Sequence, residues 1–130
     1  MTEASTAADW HPARRPRIVA FAYAATPGAG SEGGAGWAWA EMLAQIADVW
    51  VLTRPFSVRR DEIRDRLATL PPAERPNVIL LDLPRWAGGG REVASPRLLR
   101  ARYLLWQIFA LREARRLHRR HRFDVAWHLT

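Results

Sequence analysis

Four short runs of continuous apolar residues punctuate this chain, and between them the apolar positions recur at helical spacing. Arg17–Ala24 (RIVAFAYA) is bounded by Pro16 and a glycine-rich stretch, and it predicts a strand buried on both faces. TPGAGSEGGAG follows, with five glycines, and predicts a loop. From about Ala35 the spacing of Trp37, Ala40, Met42, Leu43, Ala44 and Ile46 predicts a first helix. Asp48–Thr53 (DVWVLT) reads as a second strand. Ser57 then suits an N-cap, with Asp61 and Glu62 near the positive end of a second helix. Ile63, Leu67 and Leu70 give that helix one core face, and Pro71-Pro72 stops it. Asn77–Leu83 predicts a third strand, Pro84–Pro96 a loop, and Arg97–Arg122 a long helix. The middle of that helix is apolar nearly all round, which predicts burial on more than one side. Phe123–Thr130 predicts a fourth strand.

Strands of continuous apolar character alternating with helices imply an α/β fold. The expectation is a Rossmann-like parallel sheet with helices on both faces and right-handed crossovers. Doubly wound domains usually continue past a fourth strand, so the chain reads as part of a larger domain. Residues 1–16 are small, polar and then basic, and are expected to form a disordered tail ahead of one domain, 17–130. The tail carries Glu3 and Asp9 and lacks the apolar core of a signal peptide.

Composition narrows the chemistry. The chain has 130 residues and no cysteine, which excludes a disulfide scaffold, a thiolate metal site and a cysteine nucleophile. His118 and His121 stand i, i+3 on one helix without a third ligand nearby, so no metal site is expected. The net charge is +7. Nine arginines and one acid, Glu113, fall between Arg97 and Arg122, a net of +8 there, so the remaining residues sum to −1. The charge therefore belongs to one segment. A solvated helix end explains it most simply, ahead of a peripheral contact with a membrane, with specific nucleic-acid binding last.

Two motifs carry candidate chemistry. The glycine-rich stretch follows a strand and opens a helix, where backbone N–H groups favour an anion and glycine permits close approach. It contains G-x-G-x-x-G as Gly28, Gly30 and Gly33, which raises the alternative of a small nucleotide- or NADP-binding module. Ala25-Thr26-Pro27 separates the strand from the first glycine, and the second strand ends in Thr53-Arg54 instead of an acid. Both features weaken an NAD reading, although Arg54 suits a 2′-phosphate. His128 stands near the carboxyl end of the fourth strand, where α/β sheets bind ligands. A non-catalytic protein that uses its basic helix for interaction is a further alternative.

The stretch PGAGSEGGAGWAWAEMLAQIADVWVLTR resembles the start of bacterial family-4 glycosyltransferases, retaining enzymes of the GT-B fold. VRRDEIRDRL, LDLPRW and LLWQIFALREARRLHRRHRFDV follow in the order and spacing of that family. The resemblance spans about Arg17 to Thr130 and implies most of an N-terminal, acceptor-side domain, incomplete at its C-terminal end. In such enzymes a second Rossmann-like domain holds the nucleotide-sugar donor, and its acidic motif has no counterpart here. The resemblance implies a nucleotide-diphosphate-sugar donor, an acceptor of unspecified nature, and no cofactor or metal. The lack of cysteine fits a cytoplasmic setting, and the arginine-rich stretch a peripheral contact at the inner membrane face. Gly30, Ser31, Glu32, Gly33 and Gly34 become the candidate donor/acceptor-binding residues. Relatives carry a histidine pair where this chain has Trp127 and His128; His128 matches the second member and is the candidate contact to the donor sugar, and the departure at Trp127 leaves open which of the two positions holds the family's role. No residue is assigned a catalytic role. Glu32 reads as a helix-start acid more readily than as a general base.

Overall fold

The structure, a computed structural model, describes residues 14–28, 31–54, 60–90 and 95–129, and of Ser31 and Glu32 the backbone only. It is an α/β fold. In chain order the elements are β1 (Arg17–Ala22), α1 (Ser31–Ala44), β2 (Asp48–Thr53), α2 (Arg60–Thr69), β3 (Asn77–Leu80), α3 (Pro96–His121) and β4 (Val125–Leu129). Single 3-10 turns at Pro72–Glu74 and Arg85–Ala87 flank β3. All strand pairs are parallel, in the order β3-β2-β1-β4. This is a Rossmann-like arrangement. The proposed N-cap Ser57 lies outside the described residues.

Side-chain alternation along each strand sorts the core into two layers. Ile18, Ala20 and Ala22 of β1 and Val49 and Val51 of β2 pack beneath α1 and α2, through Trp37, Ala40, Leu43 and Ile63. Val19 of β1 and Leu52 of β2 face the other way, beneath Trp106, Ala110, Ala114 and Leu117 of α3. Both faces of β1 are thus covered, as its unbroken apolar run predicts. Register follows the same logic: Arg17 pairs with Asp48 and Ala22 with Thr53, while Ala22 also pairs with Leu129 on β4.

Two expectations are corrected. The first helix starts at Ser31, four residues before the spacing suggests, so Gly33, Gly34 and Gly36 are helical. Glycine disfavours a helix by ~1 kcal/mol relative to alanine, which is why these positions read as loop. Packing overrides that propensity at Gly36, where a Cβ would stand 2.6 Å from the Ala24 carbonyl oxygen. Second, α3 is covered on one side only. Its inward stripe is Trp106, Ala110, Ala114 and Leu117, while Leu104 and Ile108 are 64% and 58% exposed. Among the described residues nothing packs on that outer stripe. An apolar run with no polar face predicts two partners, but only one layer is there to meet it.

The ends of the sheet are tied by charge. The Arg17 N–H donates to Asp124 Oδ2 at 2.9 Å, and Arg14 Nη2 donates to the same carboxylate. Arg15 Nη2 donates to the Ala44 and Ala47 carbonyls at 2.6 and 2.9 Å, closing the C-terminal end of α1 onto the start of β1. Residues 1–13 of the expected tail lie outside the described residues. Between α1 and α2, Arg66 grips Glu41 with two bonds, Nε to Oε1 at 2.6 Å and Nη2 to Oε2 at 2.9 Å. Trp37 Nε1 adds a third bond to Glu41. The Arg66 bond chiefly holds the Glu41 carboxyl below its usual 4.5, against a smaller opposing effect of burial, and the Trp37 bond also lowers it. Asp124 is likewise lowered, first by the Arg17 backbone N–H and then by Arg14.

These shifts have a sign. A carboxyl whose folded pKa is depressed stabilises the fold above its unfolded pKa and loses that contribution as pH falls through the folded value. The thermal midpoint is therefore expected to hold from pH 7 down to about pH 5 and to drop steadily below that. Glu41→Gln should lower the midpoint at pH 7 and make the acid drop shallower. An unchanged pH profile in that variant counts against the Glu41–Arg66 bridge as a source of the acid sensitivity.

Candidate functional site at the carboxyl end of the sheet

The carboxyl ends of β1, β2 and β4 converge beneath the first half of α3. β1 runs on past its last ladder residue through Tyr23, whose carbonyl still accepts from the Arg54 N–H at 3.4 Å. Alternation places Tyr23 and Arg54 on the α3 side of the sheet, in line with Phe21 and Leu52. Arg54 Nη1 donates to the Tyr23 hydroxyl at 2.6 Å, and its guanidinium carbon stands 5.3 Å from the Tyr23 ring centroid. Tyr23 in turn meets Tyr103 and Trp106 of α3 edge-on, at 5.0 and 5.3 Å between ring centroids. These contacts frame a cavity of ≈ 690 Å³ lined by Tyr23, Ala24, Arg54, Leu99, Arg100, Tyr103 and Leu104.

His128 joins this constellation from β4. It lies opposite Phe21 in the ladder, on the α3 side, and its Nε2 stands 3.4 Å from the Tyr103 hydroxyl. A smaller groove of ≈ 330 Å³ runs beside it, lined by Phe21, Gln107, Leu111, Ala126 and His128. Gln107 Nε2 is buried there with no acceptor among the described residues. Trp127, the neighbouring position, points to the opposite face and meets Trp39 of α1 at 5.9 Å. The alternation of one strand thus separates the two positions that the resemblance leaves open: His128 faces the cavity side, Trp127 the α1 side.

The glycine-rich candidates divide. Gly30 lies outside the described residues, as do the side chains of Ser31 and Glu32, whose backbone forms the first turn of α1. Gly33 and Gly34 complete that turn, and the Gly33 carbonyl accepts from the Thr26 N–H at 3.0 Å, holding the β1–α1 connection against the helix. The close approach that glycine allows belongs to Gly36, three residues beyond the last glycine of the G-x-G-x-x-G pattern. His128 and the Gly33–Gly34 turn share no hydrogen bond among the described residues; α1 and α3 sit on opposite faces of the sheet.

The described part of the β3–α3 connection, 81–90, is tied to itself and to α3. Asp82 accepts from the Leu83 and Gly90 N–H groups at 2.8 and 2.9 Å. Arg102 Nη2 donates to the Gly88 carbonyl at 2.6 Å, and Trp106 Nε1 to the Leu81 carbonyl at 2.7 Å. Gly89 is required at its place, since a Cβ there would fall 1.7 Å from the Leu83 carbonyl oxygen. Trp86 is 80% exposed and stands edge-on to Phe109 at 6.2 Å between ring centroids.

Tyr23, Arg100, Tyr103 and Gln107 escape a reading of the sequence, and Arg54 enters it only as a 2′-phosphate partner. Tyr23 and Arg54 carry one usable signal, since both end parallel strands. Arg100 and Tyr103 carry none, because only the crossing of α3 over the sheet brings them there. Among the described residues no cluster of His, Asp or Glu is suited to a metal ion, and no helix is long and apolar enough to cross a membrane. Comparison with protein-family models, curated proteins and solved structures finds no match to this chain.

Proposed function

We propose that this chain is the acceptor-side half of a two-domain glycosyltransferase, acting when joined to a domain that binds a nucleotide-diphosphate sugar. The sequence resemblance motivates the reading. The observation that carries it is the arrangement at the carboxyl end of the sheet, where the glycine-opened first turn of α1, His128 and a cavity of ≈ 690 Å³ stand at one end of a parallel sheet. In this reading the Gly30–Gly34 segment positions acceptor and phosphate, and His128 contacts the donor sugar. Transfer then proceeds with retained anomeric configuration and without a metal. Oriented backbone N–H groups and the arginines around the cavity supply positive potential where a diphosphate leaves.

The full-length product of the gene is expected to consume a nucleotide-diphosphate sugar in the presence of hydroxyl acceptors and to form a product of retained anomeric configuration by NMR. The isolated 130-residue chain is expected to show none of this. Turnover by the 130-residue chain alone, or a full-length product that neither binds nor consumes any nucleotide sugar, overturns the reading.

One observation favours an accompanying peripheral contact with an anionic membrane surface. The exposed Leu104, Ile108 and Leu111 on α3 continue into exposed Arg112, Arg115 and Arg119.

A further inference from the structure

We infer that α3 lies flat on an anionic bilayer surface, with its apolar middle in the head-group boundary and its two basic ends on lipid phosphates. The inference gives the peripheral contact above its binding mode, and it stands whether or not the chain takes part in sugar transfer. Its starting point is the one-sided burial of a 26-residue helix. Trp106, Ala110, Ala114 and Leu117 form the inward stripe. On the other side Leu104, Ile108 and Leu111 succeed one another at spacings of four and three, and all are exposed. The row continues at the same spacings through Arg100 and Arg97 toward the start of the helix, and through Arg115 and Arg119 toward its end. These four are exposed as well. At 3.6 residues per turn all seven fall in one stripe about 33 Å long. An apolar centre between two cationic ends suits a helix that rests in an interface with its axis in the plane.

Charge selects the occupant. The one acid of α3, Glu113, lies off this stripe and accepts from Arg116 Nε at 3.1 Å. The stripe therefore presents cations at both ends and no carboxylate of its own helix. A second copy of α3 does not fit it. Antiparallel pairing about Ile108 sets Arg97 and Arg100 against Arg119 and Arg115, and parallel pairing sets each arginine against its own counterpart. Like charges brought together across an interface are repelled either way. Lipid phosphates complement both ends at once, and a guanidinium meets a phosphate with two parallel hydrogen bonds. The apolar stems of Arg115 and Arg119 extend the buried strip while their heads stay at the phosphates. Trp86, exposed beside Phe109 of α3, adds a ring of the kind that settles at head-group level. The exposed apolar side chains of α1, Trp39 and Met42 among them, lie on the opposite face of the sheet, on a helix without an arginine.

The test is co-sedimentation of the 130-residue chain with vesicles of phosphatidylcholine alone and of phosphatidylcholine with phosphatidylglycerol. Binding is expected to the anionic vesicles, weakening as salt is raised, and is expected to be far weaker on phosphatidylcholine alone. Arg115→Gln combined with Arg119→Gln should weaken it by roughly ten-fold or more, since each arginine at an anionic surface contributes about five-fold. Leu104→Ser combined with Ile108→Ser should weaken it by roughly as much through lost insertion. Two controls alter the opposite face of the sheet: Arg60→Gln with Arg64→Gln removes the same charge from exposed positions on α2, and Ile46→Ser removes an exposed apolar side chain from α1. Both should leave vesicle binding within about two-fold of the parent. Every altered side chain is exposed, and circular dichroism melts check that each variant is folded. An equal loss in the α2 pair, equal binding to phosphatidylcholine alone, or no binding to either vesicle overturns the inference. A dimer that disappears in the Leu104/Ile108 variant also overturns it, in favour of a second copy. A single-stranded oligonucleotide that binds through Arg115 and Arg119 while vesicles do not bind overturns it in favour of nucleic acid. Because binding is read without turnover, a failed transferase assay leaves this inference standing, and lost vesicle binding leaves the transferase reading standing.

Discussion

Trp106→Ala is expected to remove a large part of the stability of this domain. Trp106 is 0% exposed and the largest fully buried side chain described. It fills the layer between α3 and the sheet with Val19 and Leu52, stands edge-on to Tyr23 at 5.3 Å, and donates from Nε1 to the Leu81 carbonyl at 2.7 Å. Truncating a buried aromatic to alanine costs ~3–5 kcal/mol through lost transfer energy and the cavity left behind. The Leu81 carbonyl also loses its donor, so the β3–α3 connection loosens at one of the ties to the helix described above. A domain of this size has only ~5–15 kcal/mol in total, so the midpoint should fall by about 10–20 °C, or the chain should fail to fold at 37 °C. Trp39→Ala is the paired control, since Trp39 on α1 is 44% exposed and its ring meets Trp127, itself 39% exposed. Circular dichroism melts of the two variants check this. Similar losses in both would mean that α3 does not dock on the sheet through Trp106.

The second large effect is expected from Gly36→Ala, and its direction is diagnostic. In the interior of a free helix this change adds helix propensity and stabilises by ~0.5–1 kcal/mol. Here the added Cβ stands 2.6 Å from the Ala24 carbonyl oxygen and 3.6 Å from the Ala25 Cβ. The first of these is backbone and cannot swing aside, so α1 must move off the sheet or the β1–α1 connection must shift. Overpacking of this kind costs ~1–3 kcal/mol, which outweighs the propensity gain and should lower the midpoint by several degrees. Because the Thr26 N–H reports on the same connection through Gly33, its amide exchange should quicken in the variant. A raised midpoint in Gly36→Ala would refute the close approach of α1 to Ala24.

How far the chain could be read in advance differs from element to element. β2 is predicted and found at Asp48–Thr53, because five continuous apolar or β-branched residues between Asp48 and Arg54 allow one reading. β1 and β3 are found shorter than their apolar runs. Tyr23 and Leu83 are apolar because they line the end of the sheet and the wall of the β3–α3 connection, and hydrophobicity does not distinguish a strand residue from a buried loop residue. α1 begins in residues that read as loop, since the gain from bringing Gly36 against Ala24 is a tertiary term. α3 exposes an apolar stripe because pattern reports what a surface prefers and is silent on whether a partner is present. Of the candidate site, Gly33, Gly34 and His128 were legible from motif and strand end, and their roles rest on the proposal.

Local chemistry was therefore sufficient for the class of the fold. Period-2 and period-3.6 patterns, proline stops and acids at helix starts act within a few residues, and together they specify a parallel α/β sheet with helices on both faces. Strand order, the covering of α3 by the sheet on one side among the described residues, and the joining of Tyr23, Arg54, Arg100 and Tyr103 at one cavity, with His128 beside Tyr103, were decided only by the tertiary structure. These residues span more than a hundred positions, and their meeting depends on which way β4 adds to β1 and where α3 crosses, choices set by packing between elements and not by any one segment.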